Sequence, residues 1–361
     1  MTEAPVAVVS PVFTSGGTLA PELARDCVRL EVEEGLGGLR RLQLHLVAVG
    51  VGATGPQDRL LHLDGGTLDL GRELEVTLGS DGHQKTVFRG TVSALELLLD
   101  DGVPPVVVVH AEDALMALRM TRRNRTYQQV TDADVAAELA REHGLEADTD
   151  ADGPRYDVVH QLNQSDLAFL RERARLIRAE LWSTGRTLHF RSRPRRQGPE
   201  LALALKADLL DVRLAADLAQ QRSEVVVTGY DADRREVVDE RAGPEVVEAE
   251  VDRGRTGPRL VREALGASTT LRVREAALSG AEAAAWAQAE MLRRGRRFVT
   301  ASGVTAGTPE LVVGTRLTLN GIGEPFQGAG YYVCGVRHTF DLKRGTRTCF
   351  QAERASLNPA P

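Results

Sequence analysis

The chain has 361 residues, 42% hydrophobic and 27% charged, with 4% aromatics and a formal net charge of −6. That length suits two or three domains, each with its own core. The acidic balance and the scarcity of stacking side chains argue against a general nucleic-acid partner. No apolar run approaches the ~18 residues of a membrane span. The start, with Pro5 and Pro11 and no basic segment before its apolar run, does not read as a secretory signal. Three cysteines, Cys27, Cys334 and Cys349, cannot build a disulfide framework and are read as reduced thiols, the last two in neighbouring strands.

In chain order, residues 5–13 suggest an edge strand limited by its two prolines. Residues 27–33 and 42–47 alternate apolar and polar with period two, and Gly35, Gly37 and Gly38 supply the turn between them. A literal GxGxxG follows, Gly50-Val51-Gly52-Ala53-Thr54-Gly55. A dinucleotide site would need a helix to begin there and lead to a parallel strand. Pro56 and the Gly65-Gly66 break leave no room for one, so the segment reads as a loop between strands.

From Leu118 the pattern turns helical. Thr131 and Asp134 form a capping-box-like start, and Gly144 ends that helix. Asp148-Thr149-Asp150-Ala151-Asp152-Gly153 imitates the first half of a calcium loop, but Pro154 and Val159 occupy later ligand positions, leaving a solvated acidic turn. Asn163 or Ser165 then caps a second helix with Leu167, Leu170, Ala174, Ile177 and Leu181 at helical spacing. A short hairpin turns at Thr184-Gly185. The arginine-rich run Arg193-Pro194-Arg195-Arg196 reads as a solvated linker. Residues 209–218 and 222–230 form further β runs, and 231–278 is a polar insertion. Ser279 caps a helix over 281–294, whose terminal arginines complement its dipole.

One pattern occurs twice. Leu70–Glu112 and Leu311–Glu353 each hold a Gly (Gly71, Gly314), an alternating run, a second Gly (Gly79, Gly321), an aromatic before a further Gly, and a β run closing on an acidic residue. The aromatics and glycines are matched as Phe88 and Gly90 in one copy, Tyr332 and Gly335 in the other. Period-two alternation between tight turns implies antiparallel strands, and short sheets of this kind protect their edges by rolling into a closed or half-closed barrel.

No catalytic constellation emerges. The eight histidines (His45, His62, His83, His110, His143, His160, His189, His338) show no helical ligand pair, no serine sits in GxSxG and no cysteine in CxxC. Glu33-Glu34 and Asp100-Asp101 fall in predicted turns. The expectation is no catalytic residue, no cofactor and no metal.

The run VVHQLNQSDLAFLRERARLIRAELWSTGRTLHFRSR resembles a segment of phage late control D proteins, VgrG proteins and related baseplate hubs. The stretch from Ala289 to Leu342 is similar to the family's second signature, through Gly307, Pro309, Leu311, Gly314, Leu319, Gly321, Tyr332, Val333 and His338. The resemblance implies a structural hub of a contractile injection system: a homotrimer with pseudo-sixfold shape, joining a hexameric inner tube to a trimeric spike among other baseplate proteins. It implies assembly in the bacterial cytoplasm within a phage tail-like particle, whether cytosolic, membrane-docked or released. Since the sequence ends at Pro361, the spike is expected to be a separate polypeptide. The competing readings are an NAD-linked enzyme, resting on Gly50–Gly55, and a ligand-binding β protein. The expected fold class is α+β, mainly β, with two similar small β-barrel domains, an α/β insert and a second, partly helical insertion. The expected boundaries are 1–117 for the first barrel, 118–199 for the insert, 200–235 with 299–354 for the second barrel, and 236–298 for the insertion.

Overall fold

Strand alternation dominates the first third of the chain, and the computed structural model turns it into one rolled sheet. The structure describes residues 10–49, 60–80, 84–265, 270–277 and 279–358. The Gly50–Gly55 motif, Pro5 and His83 lie outside the described residues. The elements of the first part are β1 (Val12–Ser15), β2 (Thr18–Leu19), α1 (Pro21–Asp26), β3 (Cys27–Gly35), β4 (Arg41–Val47), β5 (Glu73–Leu78), β6 (Lys85–Leu98) and β7 (Val106–Glu112). They pair in the order β1-β5-β6-β7-β4-β3. Alternate residues point inward: Leu42, Leu44 and Leu46 of β4 are buried, as are Leu74, Val76 and Leu78 of β5. With Phe13, Leu30, Val92 and Val109 they meet in one core. A sheet whose six strands all send one face into the same core has to curl around it.

The middle part runs α2 (Met116–Arg119), β8 (Arg122–Val130), α3 (Asp132–Glu142), β9 (Glu146–Asp150), β10 (Tyr156–Ser165), α4 (Asp166–Ile177), β11 (Ala179–Thr184) and β12 (Thr187–Ser192). β8 pairs antiparallel with β10. β12 pairs antiparallel with β11 and parallel with β9. The capping box at Thr131 and Asp134 forms as the sequence indicates, and of the two candidate caps for α4 it is Ser165 whose side chain accepts from the Ala168 N–H. β11 and β12 close on the predicted hairpin, with Thr184 opposite Thr187.

The last part contains β13 (Glu200–Ala204), β14 (Leu209–Ala216), β15 (Glu224–Asp231), β16 (Glu236–Ala242), α5 (Glu245–Glu248), β17 (Arg255–Thr256), α6 (Gly257–Leu265), β18 (Thr270–Ala277), α7 (Gly280–Arg296), β19 (Val299–Thr305), β20 (Arg316–Asn320), β21 (Gly328–Asp341), β22 (Gly345–Arg354) and β23 (Ser356–Leu357). Six of these pair in the order β13-β20-β21-β22-β19-β14, around a second core that includes Leu203, Leu317, Tyr331, Val333 and Phe350. An isolated bridge between Leu205 and Leu209 joins its two ends. The protein is thus mainly β, with two similar barrel-like units.

The two units match in detail. Gly71 donates to the Val92 carbonyl and Gly314 to the Val333 carbonyl, each at 2.9 Å; Val92 and Val333 donate back to Arg72 and Thr315, again at 2.9 Å. Both glycines have positive φ, +80° and +97°, which a Cβ would disfavour. Thr91 pairs with Glu112 and Tyr332 with Glu353, and the bulges fall at Val92/Ala94 and Val333/Gly335. This register corrects the sequence match between copies: Gly90 is the counterpart of Tyr331, and Ala94 that of Gly335. Matching by residue type misses this because the connections between the first two strands differ in length: Glu73 pairs with Thr91, and its counterpart Arg316 with Tyr332.

Two further placements differ from the sequence reading. β15 does not join the second barrel; it pairs with β16 and β18 in a separate three-stranded sheet. That sheet and α7 share a single core with the middle part, in which Tyr156, Phe169 and Leu170 meet Val225, Trp286 and Met291. Period-two alternation identifies a strand but says nothing about which sheet receives it.

The units are also joined to each other. β21 is 14 residues long, and its first half pairs with β20 while Gly335–Asp341 pairs with Gly35–Arg29 of β3. One 13-stranded sheet results.

Candidate functional site: a charged junction and its free edges

The arginine-rich run after β12 is not a solvated linker. Pro194 helps it form a 3-10 turn over Arg193–Arg195, which directs Arg193 and Arg196 inward and Arg195 outward. Arg196 donates to Glu34 Oε1 at 2.7 Å and to Glu180 Oε2 at 3.3 Å. Arg193 donates to Glu180 Oε1 at 2.9 Å and pairs with Glu353 Oε1 at 2.6 Å. Arg40 holds the other Glu34 oxygen through its Nε at 3.0 Å. Two rings cover the guanidinium faces: Arg193 lies 4.1 Å from the Tyr332 centroid and Arg196 4.3 Å from that of Trp182.

Three carboxylates and three guanidiniums therefore balance where the first barrel (Glu34, Arg40), the middle part (Trp182, Glu180) and the second barrel (Tyr332, Glu353) meet. Burial alone would push the Glu34 carboxyl up, but Arg40 and Arg196 together outweigh it and hold it below the usual carboxylate range. For Arg193 burial works against the charge, while Glu353 and Glu180 raise it further above its ordinary value. Desolvating each ion costs several kcal/mol, roughly what the pairing returns, so the cluster contributes orientation rather than net stability. The pairing also corrects the reading of Glu34 as a solvated turn residue: it is the penultimate residue of β3 and is 7% exposed.

The sequence candidates for metal chemistry are engaged elsewhere. Asp148 pairs with His189 at 2.7 Å and Arg191 at 3.2 Å, Asp150 pairs with Arg195, and Asp152 accepts from Ser192. His62 meets Asp26 and His143 meets Asp166, while His338 meets Thr348 Oγ1 at 3.0 Å. Burial, then Arg40, pushes His338 down to about 4. Among the described residues no group of three or more His, Cys, Asp or Glu side chains is arranged to hold a metal. The three cysteines are free.

The Gln164-Ser165-Asp166-Leu167 segment is a structural device. Ser165 caps α4, Leu167, Phe169 and Leu170 enter the core, and fully buried Asp166 accepts from Gln161 Nε2 at 2.8 Å while meeting His143 at 2.8 Å and Arg123 at 3.0 Å.

Of the unpaired strand edges among the described residues, two lie on the 13-stranded sheet, one in each of the two barrel-like units. β14 bonds only to β19 along its length, apart from the bridge at Leu209. The Ala94–Leu98 half of β6 bonds only to β7. The end of this half and the hairpin tip that follows expose Leu97, Leu98, Leu99 and Val103. Such unpaired backbone is a template for another chain. No helix among the described residues is long and apolar enough to cross a membrane.

The fold is similar to the crystal structure of the 43 kDa tail protein of prophage MuSo2 from Shewanella oneidensis, at 13% identity and a TM-score of 0.69, covering 97% of this chain and 100% of that one. A tail protein from Neisseria meningitidis MC58 matches at 13% identity and 0.62, over 96% of each chain. An Escherichia coli type VI secretion component, described as structurally similar to bacteriophage T4 tail proteins, matches at 15% identity and 0.53, over 93% of this chain and 76% of that one. At such identities the likeness establishes the fold. No curated protein matches the sequence. Residues 63–341 match the family model described as the Alg8 N-terminal domain, and the chain belongs to that family.

Proposed function

We propose that the chain is a non-enzymatic hub subunit of a contractile, phage tail-like injection particle, three copies forming a ring of six barrel-like units between a hexameric inner tube and a trimeric spike. The tail proteins among its structural neighbours support a tail role. The observation that carries the ring is an unused repeat of a contact the chain already makes with itself. In the first unit Val92, Ala111, Leu42 and Val32 pair in a row across β6, β7, β4 and β3. In the second, Val333, Ala352, Ala301 and Leu214 pair across β21, β22, β19 and β14. β14 is therefore the counterpart of β3, and β6 that of β21. Within the chain β3 is covered by the second half of β21, with Val32 opposite His338. Applied once more, the same relation sets β14 of one copy against β6 of the next, with Leu214 opposite Leu97. Both edges are unpaired among the described residues, and a head-to-tail contact of this kind closes into a ring when its rotation divides the circle. The division into two barrels, a middle insert and a helical insertion belongs to the same proposal, with β15 assigned to the insertion.

The test is oxidation of a Leu97→Cys/Leu214→Cys double variant within assembled particles. A covalent ring of three is expected. A Leu97→Cys/Leu210→Cys control sits four residues out of register, about 13 Å away, and should stay uncrosslinked. A particle layer holding six copies sinks the hub reading; three copies without the crosslink sink only the register.

A further inference from the structure

The arginines of the α4 and α7 termini border a cleft of about 340 Å³, at the small end of the ~300–1,000 Å³ typical of ligand sites. α4 contributes Arg171 and Arg175, one turn apart on the same side, and its left-handed cap contributes Arg178. α7 and its cap contribute Arg293, Arg296 and Arg297. The floor is apolar, formed by Leu36, Ala174, Leu181 and Ala289, and Glu180 and Glu353 border it at the charged junction, where Arg193 pairs with both. In a chain of net charge −6 this is a local reversal of sign.

Several of these cations already have carboxylate partners. Arg293 is held by Glu290 and Arg296 by Glu250, both through two bonds. Others do not. Arg171 donates to the Gly37 and Gly38 carbonyls, at 2.7 and 3.2 Å, which carry no formal charge. The guanidiniums of Arg178 and Arg297 make no hydrogen bond or ion pair among the described residues. Burial, then the neighbouring charge of Arg41, pushes the Arg171 guanidinium below its ordinary value, with Asp113 offsetting only part of the shift. Helix dipoles do not account for the excess. Two C-termini together supply about one negative charge, against three guanidiniums without a carboxylate.

We propose that this cleft is a docking site for an acidic, partly apolar peptide segment of a partner protein. A small hydrated anion would gain nothing from the apolar floor, whereas a segment carrying both carboxylates and aliphatic side chains satisfies floor and rim together. The ring plays no part in the argument, so the cleft and the hub reading stand or fall separately.

The experiment uses the full chain and a fluorescein-labelled synthetic peptide of alternating leucine and aspartate, read by fluorescence anisotropy. Micromolar binding that weakens with salt is expected. Arg178→Glu and Arg297→Glu should each weaken it by about tenfold, while Arg234→Glu, on a remote loop with its side chain 76% exposed, should leave it unchanged. Arg178 has positive φ; if its variant fails to fold, exposed Arg297 carries the test. Absent binding, indifference to the Arg297 reversal, or equal loss in the Arg234 variant overturns the proposal. So does equal competition by inorganic phosphate, which would make the cleft a small-anion site.

Discussion

The Tyr332 hydroxyl donates to Glu180 Oε2 at 2.7 Å, joining residues 152 positions apart, one on the second barrel and one on the middle part. Burial, then the Glu180 charge, raises the tyrosine well above its ordinary value, so it remains a donor at any pH the fold survives. Glu180 thus takes three donors, from Tyr332, Arg193 and Arg196. Its position fixes how the barrel and the insert sit together.

Removing one member of this cluster leaves its partners charged and buried. Arg196→Leu should destabilise the protein by about 3–5 kcal/mol, because Glu34 and Glu180 lose a shared cation. Arg195→Leu, whose side chain is 47% exposed, should cost no more than ~1 kcal/mol. Chemical denaturation of both variants compares them directly; equal midpoints would mean that the buried junction does no more than a surface pair.

Stability should also fall as the solution is acidified from pH 6.5 toward pH 4. His338 is folded in its neutral form with its pKa depressed to about 4 from 6.5. The unfolded chain therefore takes up this proton first, and the stabilisation present above pH 6.5 is lost on the way down. The full effect is at most about 3 kcal/mol. Glu34, also depressed, acts in the same direction but only below the usual carboxylate range of ~4.3. A His338→Gln variant should show a clearly shallower profile between pH 6.5 and 4.5, the remaining slope including His45, which burial also pushes down. If its slope matches that of the parent, another group is responsible.

Asp166→Asn should be costly although the shapes match. The carboxylate takes Gln161, His143 and Arg123 from three different elements, and an amide removes the charge opposite Arg123 while offering a donor where an acceptor is needed. A loss of about 3 kcal/mol is expected, read as a drop in Tm. A shift under a degree would show that the motif acts through the Ser165 cap alone.

Much of the fold was legible because it is local. Thr131 with Asp134, the Thr184-Gly185 hairpin and the Gly71/Gly314 repeat each depend on a few adjacent residues, and all form as the pattern suggests. The charged junction was not. Arg193 and Arg196 look like any surface arginines until Glu34, Glu180 and Glu353 arrive from strands far apart in sequence. The one available hint was position: a short charged turn between a hairpin ending in Phe190 and the first strand of the second barrel, where the chain has little length in which to reach solvent. β15 was misplaced for a related reason, since a Val-rich strand fits equally well into either neighbouring sheet.

The closest backbone approach at the junction offers a final test. β13 runs parallel to β20, beginning with Glu200 opposite Arg316, and Arg316 donates to the Pro199 carbonyl at 2.9 Å. Just before this, a Cβ on Gly198 would lie 2.4 Å from the Gly314 carbonyl carbon and 2.6 Å from the Thr315 nitrogen. Gly314 cannot yield easily, because its own N–H is bonded to Val333 and its φ is positive. The strain of Gly198→Ala must therefore be relieved by moving the 193–199 segment, which carries Arg193 and Arg196 away from their carboxylates. The expected loss is about 1–3 kcal/mol from overpacking alone, with more where the ion pairs lengthen. Gly35→Ala is the control. Its added Cβ would meet nothing nearer than the Cys334 carbonyl at 3.9 Å, and it should stay within about 0.5 kcal/mol of the parent. Equal denaturation midpoints for the two variants would show that the 193–199 segment adapts freely, and that the junction does not set how the barrels are held.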